Sequence, residues 1–161
     1  MRIRKSLTRA IVQSSLLTIA SLIFCCLAIE VVFRIFGIGI YVYLRPDPLL
    51  GYSFIPGAAY KFDSEGYSHG TINSQGRRDY EYTYEKPKNT CRILIIGDSF
   101  TEAFQVALDS TFHKILERRL NAKKRKYTFE VIAFGRGGMG TLEEMLWYRK
   151  EAFRYHPDIV V

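Results

Sequence analysis

A run of 20 consecutive uncharged, mostly apolar residues extends from Ala10 to Ile29 near the amino terminus. A helix rises about 1.5 Å per residue, so this run can span a hydrocarbon core of roughly 30 Å. Basic residues without any acid precede the run, namely Arg2, Arg4, Lys5 and Arg9. Because such flanks stay in the cytoplasm, residues 1–36 are predicted to form a single-pass membrane anchor, with the rest of the chain extracytoplasmic.

A cleaved signal peptide is the alternative interpretation of this run. The run is longer than the usual apolar core of a signal peptide, and the segment Cys26–Glu30 offers only one of the small residues that a cleavage site needs. A retained anchor is therefore favoured, and the lipid bilayer is the first predicted partner.

Residues 37–90 show no sustained helical or strand period. The segment is rich in Gly, Tyr, Pro and Ser, and Pro46–Gly57 has the composition of turns. We predict an extracytoplasmic lead-in segment that packs on the following domain through its tyrosines.

Short apolar runs alternate with helical stretches over residues 91–161. The predicted strands are Arg92–Ile96, Tyr127–Phe134 and Pro157–Val161, and the predicted helices are Asp109–Asn121 and Thr141–Tyr155. This alternation is typical of an α/β domain with a parallel sheet covered on both faces. Three strands are few for such a domain, and the last one stops at the end of the sequence, so we expect the amino-terminal part of a larger, truncated domain.

Two helix faces are predicted to be apolar and buried. They are formed by Phe112, Ile115, Leu116 and Leu120 on the first helix and by Leu142, Met145, Leu146, Trp147 and Tyr148 on the second. Stacking on sugar rings is the alternative role for Trp147 and Tyr148. His113 is expected at the surface of the first helix or at an interface of that helix. A basic cluster is expected to be a solvated helix end, with contact to an anionic lipid or a polysaccharide as the alternative. It consists of Lys114, Arg118, Arg119, Lys123, Lys124, Arg125 and Lys126.

The charge distribution argues against a nucleic-acid partner. The net charge is +7, but residues 45–161 carry 18 basic and 15 acidic side chains and are nearly balanced. Phosphate binding needs basic charge clustered on a folded surface. No Cys/His cluster has the spacing of a zinc site, and no metal is expected.

Two loops are predicted to lie at the carboxyl edge of the sheet, where ligands bind in α/β proteins. Ser99 follows the first strand, and the loop Gly135–Gly140 follows the second. A serine at a strand-to-helix turn has an exposed hydroxyl near backbone N–H groups, and a glycine loop can bring another N–H close to it. Together these features suit half of an acyl-transfer site, although such a serine is also a common helix cap.

The segment Arg92–Thr101, with Gly97-Asp98-Ser99, resembles the first block of the SGNH, or GDSL, hydrolase family. The segment Val131–Thr141 resembles the second block, about 40 residues later. Three upstream features resemble the membrane-anchored branch of the family: the amino-terminal span, Leu50–Tyr52 and Ile72–Asp79. The segment His156–Val161 resembles the strand that leads into the third block of the family.

The resemblance implies that residues 91–161 form the amino-terminal part of a flavodoxin-like, three-layer SGNH domain. It implies that Ser99 is the nucleophile, that the Ser99 and Gly138 amides hold the oxyanion, and that Gly97 and Asp98 support the site. The implied activity is that of an esterase or acyltransferase on ester-linked acyl groups of a glycan or lipid, without a cofactor.

A non-catalytic, membrane-tethered binding or assembly protein with a degenerate SGNH fold is the alternative. Ala133 stands where the second block usually begins with Asn, and neither Gly-x-Asn-Asp nor Asp-x-x-His occurs in these 161 residues. Without the general base that the second of these motifs supplies, the serine is a poor nucleophile. We therefore expect the 161-residue chain by itself to be inactive.

The glycine loop also matches G-x-G-x-x-G, the pattern of a dinucleotide site. The acidic partner of that pattern should end the next strand, whereas Asp158 begins it. A nicotinamide cofactor is therefore disfavoured.

Overall fold

A computed structural model of the chain describes residues 2–36, 42–123 and 126–161. The chain divides into two units, Met1–Ile40 and Tyr41–Val161. In the first unit, helix α1 covers Arg2–Ile35. The stretch Ile11–Ile35 has a mean hydropathy of 2.6 and is long and apolar enough to cross a membrane. The predicted apolar helix is thus confirmed, while its orientation stays a prediction.

The second unit begins with two small antiparallel hairpins. Strands β1 (Leu44–Asp47) and β2 (Gly51–Phe54) form the first, and β3 (Ala59–Phe62) and β4 (Ser68–Thr71) form the second. The sequence-based prediction of turns without strands was wrong here. Each strand has only four residues, which is too short for an alternating pattern to stand out from the glycines and prolines around it.

The hairpins pack around Phe104, which follows the predicted nucleophile turn in the chain. The Phe104 ring contacts the rings of four aromatic residues: Tyr43, Phe54, Tyr60 and Phe62. The lead-in segment therefore shares a small aromatic core with the α/β part of the unit.

The prediction of a parallel sheet is confirmed for three strands. Strands β5 (Thr90–Gly97), β6 (Thr128–Gly135) and β7 (Ile159–Val160) lie in the order β6-β5-β7. The helices between them are α2 (Ser99–Glu102), α3 (Phe112–Asn121) and α4 (Thr141–Lys150), with short 3-10 turns at Leu108–Ser110 and Ala152–Tyr155. The main core lies on one side of the sheet, around Leu94, Ile132, Phe134, Trp147 and Tyr155.

Helix α3 turns polar side chains toward β6, and its predicted apolar inward face was wrong for Phe112 and Leu116, while Ile115 and Leu120 are half-buried. His113 and Lys114 are fully buried, whereas Phe112 is 49% exposed and Leu116 is 36% exposed. The Lys114 ammonium forms an ion pair with Asp79 at 2.5 Å and donates to the Val131 carbonyl at 2.8 Å. The predictions of a surface His113 and a solvated Lys114 are therefore corrected.

Polar side chains of α3 face β6 because β6 is an outer strand of the described sheet, and no neighbouring strand bonds its outer backbone groups. The Val131 amide donates to Glu117 at 2.6 Å, and the Ala133 amide donates to Asp79 at 2.7 Å. The Asn121 side chain accepts from the Phe129 amide and donates to the Phe129 carbonyl. Charged and amide side chains thus replace a neighbouring strand along this edge.

The opposite side of the sheet has no such cover in the described structure. Ile159 and Val160 of β7 are each 48% exposed, and Leu142 and Met145 of α4 are also exposed. A shallow apolar groove runs between β7 and α4. On α4 the predicted core role is confirmed for Trp147 but wrong for Leu142 and Met145.

Candidate active site

The predicted nucleophile lies on the turn that directly follows β5. Strand β5 ends at Gly97, and the Asp98 carboxylate caps α2 by accepting from the Phe100 amide at 3.0 Å. Ser99 is the first residue of α2 and is half-buried. The turn closes at Ala103, whose left-handed backbone lets its amide donate to the Ser99 carbonyl at 2.8 Å. Asp98 therefore supports the turn that carries Ser99.

Glycine is required at the ends of both strands below this turn. A Cβ on Gly97 would lie 2.4 Å from the Thr101 Oγ1, and one on Gly135 would lie 2.2 Å from the Glu102 amide nitrogen. Gly97 and Gly135 are also paired across the sheet. Helix α2 thus packs directly against the carboxyl ends of β5 and β6.

The structure brings the glycine loop beside Ser99. A Cβ on Gly137 would lie 3.7 Å from the Ser99 Cβ, and Gly138 has a φ of 73°, which favours glycine. Within the residues that the structure describes, neither the Ser99 amide nor the Gly138 amide donates a hydrogen bond. Both predicted oxyanion donors are therefore unengaged by the protein.

Glu102 is a residue of this site that the sequence analysis missed. It lies at the end of α2, and its Oε2 accepts from the Gly137 amide at 2.9 Å. Burial raises the pKa of Glu102 to about 7, although the Gly137 amide, Arg78 and Arg136 each act to lower it. The carboxylate therefore links the nucleophile turn to the glycine loop.

The first hairpin holds the glycine loop from the other side. The Tyr52 hydroxyl donates to the Gly137 carbonyl. The Arg136 guanidinium lies over the Tyr52 ring at 4.2 Å and donates to the Leu50 carbonyl at 2.8 Å. Leu50 and Tyr52 were noted in the sequence only for the family resemblance, which assigned no role to either.

Arg78 holds the carboxyl end of the turn that carries Ser99. Its side chain is buried and donates to the carbonyls of Glu102 and Ala103, both at 2.9 Å. It also donates to the Tyr60 hydroxyl at 2.9 Å. The segment Ile72–Asp79 thus contributes a side chain that supports α2, and this contact also joins α2 to the second hairpin.

The histidines do not complete a catalytic pair with the serine. Among the described residues, no histidine forms a hydrogen bond with Ser99. His113 is fully buried, and burial, followed by Lys114 and Arg78, lowers its pKa to about 3. His69 and His156 are exposed. The described residues also contain no group of three or more His, Cys, Asp or Glu side chains that could hold a metal ion.

The fold and this site define an α/β protein with a serine on a strand-to-helix turn beside a glycine loop. Compared with protein-family models, the chain matches none, and no curated protein matches it either. The SGNH resemblance of the sequence blocks therefore stays a prediction.

Proposed function

We propose that the intact protein is a membrane-anchored, extracytoplasmic serine esterase or acyltransferase of the SGNH type. Its proposed substrates are ester-linked acyl groups of a glycan or a lipid. The observation that carries this proposal is the position of Ser99 against a glycine loop, with the Ser99 and Gly138 amides unengaged. Such amides are the usual donors to a developing oxyanion.

In the proposed reaction, the Ser99 Oγ attacks the acyl carbonyl carbon and loses its proton to a general base. The carbonyl oxygen becomes an oxyanion, which accepts hydrogen bonds from the Ser99 and Gly138 amides. Collapse of this intermediate breaks the ester C–O bond, and the departing alkoxide takes the proton back from the base. The result is an acyl-serine and a free alcohol.

The second half of the reaction returns the serine. Water attack on the acyl-serine gives a carboxylic acid, and attack by a sugar hydroxyl gives a new ester. Both outcomes use the same oxyanion donors, so hydrolysis and transfer are equally compatible with this site. None of the described histidines forms a hydrogen bond with Ser99, so the proposal takes the general base from the carboxy-terminal block that the resemblance implies.

Labelling with a fluorophosphonate tests the proposal. The protein is expressed from its whole coding sequence in membranes, because the family's general base lies in a carboxy-terminal block. We expect covalent labelling that Ser99→Ala abolishes and that Ser110→Ala, at an exposed serine of the Leu108–Ser110 turn, leaves intact. A folded protein that remains unlabelled would overturn the proposal and favour the non-catalytic, membrane-tethered binding protein.

A further inference from the structure

The peptide groups of the glycine loop are held by two side chains from different parts of the chain. The Tyr52 hydroxyl, on β2, donates to the Gly137 carbonyl, and the Glu102 carboxylate, on α2, accepts from the Gly137 amide. Tyr52 and Gly137 are 85 positions apart, and Glu102 and Gly137 are 35 apart. These contacts hold two successive peptide groups of the loop, because the Gly137 amide belongs to the peptide before Gly137 and its carbonyl to the peptide after it.

The contact with Tyr52 has a geometric consequence for Gly138. The Gly137 carbonyl and the Gly138 amide belong to one peptide group, and the chain contains no cis peptide bond among its described residues. In a trans peptide, the C=O and N–H bonds point in opposite directions. A hydroxyl that holds the Gly137 oxygen therefore directs the Gly138 N–H away from Tyr52.

The contact with Glu102 determines which amide remains available. A Cβ on Gly137 would lie 3.0 Å from the Glu102 Oε2 and 3.7 Å from the Ser99 Cβ, so the carboxylate and the serine converge on this residue. Because the Gly137 amide is engaged by Glu102, the Gly138 amide is the unengaged donor in this part of the loop.

We propose that Tyr52 and Glu102 are positioning residues for the oxyanion donor: Tyr52 orients the Gly138 N–H, and Glu102 occupies the neighbouring Gly137 N–H. The role in an oxyanion hole rests on the proposed function. Neither side chain takes part in bond making or breaking. A site of this kind depends on the direction of one backbone amide, and loss of one oxyanion donor typically lowers turnover by about 100- to 1,000-fold.

The main test compares Tyr52→Phe with the matched control Tyr67→Phe. Tyr67 is 61% exposed, and its hydroxyl forms no hydrogen bond within the described structure. In the protein expressed from its whole coding sequence, we expect Tyr52→Phe to slow fluorophosphonate labelling of Ser99 at least tenfold and Tyr67→Phe to leave it unchanged. For a soluble ester substrate, kcat should fall with little change in KM. An unchanged labelling rate in Tyr52→Phe would overturn the proposal.

Two variants at Glu102 separate its role as an acceptor from its charge. Glu102→Gln keeps an oxygen that can accept from the Gly137 amide, and Glu102→Ala does not. We expect labelling within about threefold of the parent rate for Glu102→Gln and a loss of at least tenfold for Glu102→Ala. Equal losses in both variants, or none in either, would contradict a positioning role.

NMR of the glycine amides, which requires no labelling or turnover of Ser99, distinguishes failure of this proposal from failure of the proposed function. In ¹⁵N-glycine-labelled protein in detergent micelles, Tyr52→Phe should shift the Gly138 amide resonance, and Tyr67→Phe should not. The Gly137 amide resonance should shift with the ionisation of Glu102, whose pKa is raised to about 7. The charged or titratable groups around the Glu102 carboxylate are Arg78, Arg136 and the Tyr43 hydroxyl. Glu102→Gln should remove that response. If these shifts occur but Ser99 is never labelled, the enzyme proposal fails while the loop geometry stands; without the shifts, the positioning proposal fails.

Discussion

The two outer edges of the sheet differ in how their backbone is covered. Along β6, side chains of α3 and of the lead-in segment form hydrogen bonds with the amides and carbonyls of the strand. The Lys114–Asp79 ion pair at this edge is fully buried. Along β7, apolar side chains are about half exposed, and a groove lies beside them. The two edges thus differ in that side chains already bond the backbone of β6, whereas apolar surface is left exposed at β7.

Charged side chains cover the β6 edge, whereas apolar side chains form the exposed surface of the β7 edge. Exposed strand edges invite pairing with other chains, and inward-pointing charges are one way in which proteins prevent it. Removing a polar contact at β6 should therefore be costly, whereas changing polar groups near β7 should cost little. Trp147 is the only tryptophan and is buried, so its fluorescence reports unfolding of the unit that contains both edges.

The largest effect is expected from Lys114→Met. This change leaves the Asp79 carboxylate buried without its cation, which should lower the free energy of unfolding by about 3–5 kcal/mol. Urea denaturation in detergent, followed by Trp147 fluorescence, measures the loss. Lys123→Met, at an exposed position just beyond α3, is the matched control and should change stability by less than about 0.5 kcal/mol. Equal stabilities for the two variants would show that the β6 edge does not depend on this pair.

A smaller effect is expected from Glu117→Ala. This change removes the acceptor of the Val131 amide and of the Tyr82 hydroxyl, and unsatisfied buried donors cost about 1–3 kcal/mol. Glu144→Ala makes the same change on α4 beside the open edge, where Glu144 lines the groove and its side chain has no hydrogen bond in the described structure. We expect it to be nearly neutral. The same denaturation measurement compares the two, and equal losses would remove the distinction between the edges.

The smallest effect is a pH dependence that arises at the covered edge. The pKa of His113 is lowered in the folded protein, so the unfolded chain binds more protons below about pH 6.5 and acid is destabilising. This imidazole should contribute a loss of about 1 kcal/mol between pH 6.5 and 5.5. Burial raises the pKa of Glu102 in the folded protein to about 7, so the protonated carboxyl stabilises the fold in acid, opposite to the effect of His113. This stabilisation is lost as the pH rises through 7.

The difference between the parent and His113→Asn isolates the imidazole from Glu102. That difference in unfolding free energy should shrink as the pH falls from 6.5 to 5.5. His69→Asn, at an exposed histidine of β4, is the control and should leave the pH profile of the parent unchanged. If the difference in unfolding free energy between the parent and His113→Asn does not change with pH, the pH dependence does not come from the His113 imidazole.

The regular elements of the α/β part could be predicted because their patterns are long. Strands β5 and β6 have eight residues each, and glycine marks the end of both. The turn that carries Ser99 and the adjacent glycine loop follow from the rule that loops at one sheet edge meet. Strand β7 was found from its apolar run, although the structure gives it only two residues.

The polar side of α3 could not be predicted, because periodicity assumes that buried faces are apolar. Lys114 is buried for a reason that depends on β6 being an outer strand, and strand order is not encoded in a local pattern. The roles of Tyr52 and Glu102 are hidden for a similar reason. Each acts on Gly137 from a distant part of the chain, and nothing near either residue in the sequence indicates the partner.

The hydrogen bond between Tyr52 and Gly137 has a consequence for the order of events during synthesis. At roughly 5–20 residues per second, a ribosome needs about 4–17 s to add the 85 positions that separate them. The first hairpin and the serine turn are therefore made well before the loop that they hold. A nascent chain released before the glycine loop is made would carry Ser99 without the loop that lies beside it in the folded protein.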